Sequence, residues 1–289
     1  MIITDYKSSP FPIFNAGNIG NPNYTGTATA LFNGYTGTGL NGVPDTSFDA
    51  ILGLRFATDD GQVLTLVSNA AVALVSGVLV QSAAEVTAFE KMAMTVPTAQ
   101  PATAGSYLVL VTNGATKMNI NQFAGGQLLV ASATGIGQTL TIASHTAAAA
   151  TSGKITVTLQ DPIQVTLDAT STVSFVASPS KNVVIMPTTP TGLAVGVTIY
   201  PIPASVANTY DGTSGALTVA GTPQYGFVVS HGPVGCLIDS SVTNVGYPLG
   251  QKCATAGCLG IATLTSSPQI AISMQTLTSA QVGSVFMLL

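Results

Sequence analysis

The chain has 289 residues, with only 7 basic and 11 acidic side chains, so 6% of it is charged. An ordinary soluble domain is about 25% charged. Seven dispersed cations make no phosphate-binding stripe and no polybasic run, so neither nucleic acid nor an acidic membrane surface is expected as a partner. Hydrophobic residues at 46% exclude the composition of a disordered chain.

The apolar run Ala70–Val80, broken by Ser76 and Gly77, falls well short of the ~20 residues needed to cross a bilayer as a helix. No basic segment followed by an apolar core opens the sequence, so a secretory leader is not expected. The missing charge is replaced by small polar residues, including 39 threonines. Little electrostatic repulsion then opposes self-association.

In chain order, residues 1–48 are rich in Gly, Asn and Thr and show neither helical nor strand periodicity. They read as an extended arm that docks on its own domain or on a neighbour. Its rings Phe11, Phe14, Tyr24 and Tyr35 are the candidate interface anchors, because aromatic side chains dominate contact energetics. Gly37–Gly42 matches the letters of a dinucleotide loop. No apolar strand precedes it, and Pro44 stands where the helix would begin, so it reads as a plain glycine loop.

Phe56–Val67, with Asp60-Gly61 at its centre, reads as a hairpin. Ser82 and Glu85 form a capping-box pattern, which predicts one short helix over 83–94, ending before Pro97. Beyond Pro101 the pattern is strand and turn. Ile155–Leu159, Ile163–Leu167, Val173–Phe175 and Ile270–Met274 alternate apolar residues with Thr, Ser or Gln. That is the period of a half-buried antiparallel strand. The fold expected is all-β: an antiparallel β-sandwich/barrel, jelly-roll-like, with one short helix and an N-terminal arm. Segments 49–130 and 131–289 read as a β-rich segment and a β-barrel/sandwich domain, forming one body or two.

Catalytic parts are scarce. The two histidines, His145 and His231, have no nucleophile elbow near them, although His231 and Cys236 could pair as Cys–His. The acids Asp161 and Asp211 fall at turn signals. Asp45, Asp49, Asp59 and Asp60 cluster loosely in sequence, a weak calcium pattern. Cys253 and Cys258 are a candidate disulfide across a short loop. Free buried thiols, or a zinc site formed with His231 and Cys236, are the competing readings. The expectation is a chain with no enzymatic activity, no cofactor and no resident metal.

From about Leu52 onward the chain resembles structural proteins of tailed bacteriophages, of the capsid decoration or cement type. The residues that carry the likeness include Asn121–Gly126, Gly135–Gln138 leading to Ser144-His145, Leu159–Pro162, Tyr225–Phe227 with His231–Pro233, and the closing Val285–Leu289. The resemblance implies a non-enzymatic virion protein on the outer surface of the capsid. It would be a homotrimer that bridges subunits of the major capsid protein. A tail or fibre subunit, or a carbohydrate-binding or adhesin β-sandwich, are the alternatives. The absence of Trp counts against a sugar site.

Overall fold

The computed structural model describes residues 52–58, 60–94, 102–151, 153–251, 253–262 and 268–289, together with the backbone of 35–36. Its strands, in chain order, begin with β1 (Tyr35–Thr36), β2 (Arg55–Ala57), β3 (Val63–Ser68), β4 (Leu79–Gln81) and β5 (Met92–Ala93). Then come β6 (Leu108–Thr112), β7 (Gln127–Ser132), β8 (Thr139–His145), β9 (Lys154–Leu159), β10 (Thr172–Val176), β11 (Val184–Ile185) and β12 (Ala194–Thr198). The last are β13 (Thr209–Tyr210), β14 (Leu217–Val219), β15 (Gln224–Ile238), β16 (Pro248–Gly250), β17 (Gly260–Ile261), β18 (Gln269–Ser273) and β19 (Gln281–Leu288). Every ladder between them is antiparallel. The protein is all-β, of the sandwich/barrel kind.

The chain divides into two units. The first comprises Met1–Ala83, Pro179–Val206 and Thr222–Leu289; the second comprises Ala84–Ser178 and Ala207–Gly221. The second unit is thus inserted into the first in two separate passes. The 130/131 division does not follow these units, since it falls within β7 inside the second one. The reason lies in pairing: β10 closes on both β5 and β7, which binds residues 92–93, 127–132 and 172–176 into one sheet.

The first unit is organised by β15. One stretch pairs with β3, from Tyr225↔Ser68 to His231↔Val63, and the next pairs with β19, from His231↔Leu288 to Ile238↔Gln281. The register slips between Val229 and His231. At that place Gly232 takes φ +98, and a Cβ there would lie 2.4 Å from Gly61 O. Only glycine allows so close an approach of the hairpin turn. The turn itself is as expected: β2 and β3 pair, and Gly61 takes φ +82.

The middle of this sheet is buried on both faces. Leu64, Leu66, Leu79, Phe227 and Val229 enter one apolar cluster, while Val67, Val78, Val80 and Val228 enter another. This explains the near-continuous apolar runs in β3, β4 and β15, which have no exposed face to alternate with.

The second unit closes a six-stranded barrel in the order β5-β10-β7-β8-β9-β6, and the Met94↔Val111 bridge returns β6 to the β5 segment. Here alternation is clean. In β9, Ile155, Val157 and Leu159 are buried while Thr156 and Thr158 face outward. The core gathers Leu128, Val130, Ile142 and Val173, with the rings of Phe89, Phe123 and Phe175.

Two expected elements differ. The helix over 83–94 is replaced by a single 3-10 turn, Thr87–Phe89, followed by β5. Ser82 does not cap. Its N–H donates to Leu193 O at 2.8 Å, and its hydroxyl accepts from Leu193 N at 3.0 Å, so it belongs to the sheet. Val86 and Glu90 are extended on either side of the turn. The strand expected at Ile163–Leu167 is irregular. Ile163 and Leu167 are buried but Val165 is exposed, which breaks the period of two. Its backbone is satisfied by one side chain instead. Gln138 Oε1 accepts from Gln164 N and Val165 N at 2.9 Å each, and Gln138 Nε2 donates to Val165 O and Gly135 O.

Candidate interaction surfaces and the thiol cluster

Phe11, Phe14 and Tyr24 lie outside the described residues, as do the Gly37–Gly42 loop and Asp45, Asp49 and Asp59. Tyr35 is placed by its backbone alone. It sits in β1, paired with Tyr225 of β15, so the N-terminal region joins the first unit's sheet at that point.

The surface carries exposed apolar groups where an ordinary domain carries ions. In the first unit, exposed Val72 and Val75 flank Leu74, whose backbone bridges Ile202, and Val206 follows on the same connection. Asn69 Nδ2 ties the two loops by donating to Val72 O at 2.8 Å and to Pro203 O at 2.7 Å. In the second unit, Ile136 and Val165 stand exposed on the two loops that Gln138 clamps. The β13–β14 ribbon shows Leu217 and Val219 on one face, two residues apart.

The acids are used as turn builders. Asp211 Oδ1 accepts from Thr213 N, Ser214 N and Ser214 Oγ at 3.1, 2.6 and 2.7 Å. These bonds, led by the Ser214 hydroxyl, hold its pKa below the ordinary carboxylate value. Asp168 accepts from the hydroxyls of Thr134 and Thr170 and from Thr170 N, and its pKa is lowered chiefly by the Thr134 hydroxyl. The Thr58 hydroxyl donates to Asp60 across the hairpin. The expected turn role of Asp211 therefore holds, in the form of an Asx-type loop. Glu85 behaves oppositely: Glu90 beside it raises its pKa, first through a shared hydrogen bond and then through charge repulsion.

Neither histidine joins a nucleophile. His231 and Cys236 are five residues apart on β15 and lie on different sides of it: the half-buried His231 meets Phe286, whereas Cys236 is buried in the core cluster. The His231 ring stacks edge-on against Phe286 at 5.2 Å. His145 is buried in the second unit between Phe123 and Phe175. Its Nε2 accepts from Phe123 N at 2.9 Å, and its Nδ1 lies 2.9 Å from Thr146 O. That pattern places the ring proton on Nδ1 and makes the ring a core fastening.

All three cysteines are free and buried. Cys236 on β15 lies near the Cys253–Cys258 loop, because Leu259 N donates to Leu237 O at 2.8 Å and Asp239 N donates to Leu259 O at 2.9 Å. Burial is the leading cause that raises each thiol's pKa, that of Cys258 to about 11. The candidate pair is brought together without being bonded. The Cys253 thiol donates toward Thr255 O at 2.8 Å and Cys258 O at 3.1 Å. Asp239 fastens the same loop by accepting from Ala254 N at 2.7 Å. His231 takes no part in this cluster. Among the described residues no three His, Cys, Asp or Glu side chains are arranged to hold a metal ion, and no helix is long and apolar enough to cross a membrane.

No known protein family, curated protein or solved structure matches the chain.

Proposed function

We propose that the protein is a non-enzymatic structural subunit of a many-copy assembly. Following the resemblance in its sequence, that assembly is a tailed-phage virion. In this reading the protein decorates and stabilises the capsid from outside, as a homotrimer that bridges subunits of the major capsid protein. The observation that carries the reading is the surface itself. Outward strand positions hold Thr, the exposed large residues include Val72, Val206, Leu217 and Val219, and several of the few acids are already bound into turns.

Such a surface can be buried without stripping water from ions, a step that costs several kcal/mol per ion. Repetition then multiplies a modest contact, since each copy ties several neighbours. The arm with Phe11, Phe14, Tyr24 and Tyr35 supplies the remaining anchors in this reading.

Light scattering on the purified full chain tests the association step. A mass of three chains, stable on dilution, is expected. A monomer at every concentration overturns the trimer.

A further inference from the structure

Cys253 and Cys258 bracket a loop that is wedged into the first unit's sheet. Gly257 N donates to Met186 O at 2.8 Å, and Gly257 O accepts from Leu79 N at 2.8 Å. Gly257 takes φ +79, and a Cβ on it would lie 3.0 Å from Ile185 and 3.1 Å from Val78. The loop therefore completes the hydrogen bonding of β4 and of the residue after β11, and its seat admits only a glycine. Both thiols turn into this loop: Cys253 Sγ lies 3.1 Å from the Cys258 carbonyl, and Cys258 Sγ is directed at Ala256 O at 4.0 Å.

We propose that Cys253 and Cys258 form an oxidant-closed clasp, a reversible disulfide that locks this loop onto the β4–β11 edge. The clasp does not rest on the assembly reading. Cys253 is the more exposed of the two, so it is the thiol attacked first. A peroxide supplies the oxidising power. The Cys253 sulfur breaks the O–O bond and becomes a sulfenic acid, releasing water when the oxidant is hydrogen peroxide. Cys258 then displaces the sulfenic oxygen as a second water, and the S–S bond forms. Two S–H bonds and the peroxide O–O bond are exchanged for one S–S bond and two new O–H bonds, and the products are the disulfide and two waters.

Cys236 is the spectator. It lies wholly buried on β15, with its thiol directed at Leu237 O. Burial keeps all three thiols protonated, so closure is slow and suits a one-time maturation step better than a fast sensor.

The test uses the full-length reduced protein treated with hydrogen peroxide. Thiols are counted in denaturant, with intact mass and peptide mapping alongside. The clasp predicts that three thiols fall to one, with a mass lower by two hydrogens and a Cys253–Cys258 linked peptide. The melting temperature should rise by a few degrees and return with dithiothreitol. Cys236→Ser should still close, going from two thiols to none, whereas Cys253→Ser should keep both of its thiols. Three thiols persisting in the folded protein, a Cys236 linkage in the mapped peptide, or a peroxide-treated Cys236→Ser variant that stays reduced would each overturn the clasp.

Discussion

Replacing Gln138 by alanine removes the side chain that substitutes for a β-ladder along residues 163–167. The substitution deletes four hydrogen bonds at once: two accepted from Gln164 N and Val165 N, and two donated to Val165 O and Gly135 O. The site is open to water, which replaces part of each bond, so about 0.5 kcal/mol per bond applies and the total is about 2 kcal/mol. The second unit has roughly 110 residues, and at about 2.1 cal/mol/K of unfolding entropy per residue the loss lowers its melting temperature by about 9 °C.

Calorimetry reads the shift, and amide hydrogen exchange at Gln164 and Val165 localises it. Gln138→Glu keeps the two acceptor bonds and loses the two donor bonds, so it should fall between parent and alanine. Gln164→Ala loses only a contact to Pro162 O and should change stability by under about 0.5 kcal/mol. An unchanged thermogram for Gln138→Ala, with unchanged exchange at both amides, would refute the idea that one side chain holds this segment.

Gly126→Ala should be severe, because its Cβ would lie 2.2 Å from Val176 O; a loss of at least about 3 kcal/mol is expected by urea titration. Gly212→Ala meets nothing within 4 Å and should be neutral in the same titration. His145→Phe keeps the ring but strands the buried Phe123 N–H, and should cost about 1–3 kcal/mol. Both Asp168 and Asp211 have lowered pKa values in the folded state. Their contribution is therefore complete above the unfolded value near 4 and is lost as the pH falls through the folded values. Asp168→Asn with Asp211→Asn should flatten that acid limb in melts run from pH 5 downward, and a limb of unchanged slope would remove these two acids as its cause.

The sequence was most readable where one face is wet. In β9 and β10 the alternation of apolar and polar side chains marks strands, and Asp60-Gly61 marks the hairpin between β2 and β3. In β18 the small residues Ala271 and Ser273 are buried instead, with Met274 beyond them exposed. It was least readable where a side chain replaced a backbone partner. Gln138 made a strand-like pattern into an irregular loop, and Leu193 drew Ser82 into the sheet, so the capping box never formed.

The two-pass insertion left no local trace: the first pass depends on β10 pairing with segments some forty and eighty residues earlier, and the second on Gly215 O and Asp211 O accepting from Ile120 N and Lys117 Nζ, more than ninety residues away. Of the candidate site, the nearness of Cys253 and Cys258 was legible from their spacing. The convergence of Cys236 was not, because it requires β15 to run beside the Cys258 loop, as the Ile238↔Leu259 bridge records. The aromatic anchors Phe11, Phe14 and Tyr24 fall outside the described residues.

In the proposed reading this charge-poor surface is buried against neighbouring subunits on the outside of a capsid. Density-gradient particles from a culture that carries the gene, analysed by quantitative mass spectrometry, give this chain's copy number relative to the major shell protein. The account predicts a fixed stoichiometry of many copies per particle, retained through purification. A chain that stays in the soluble fraction, or that occurs at only a few copies per particle, would contradict it.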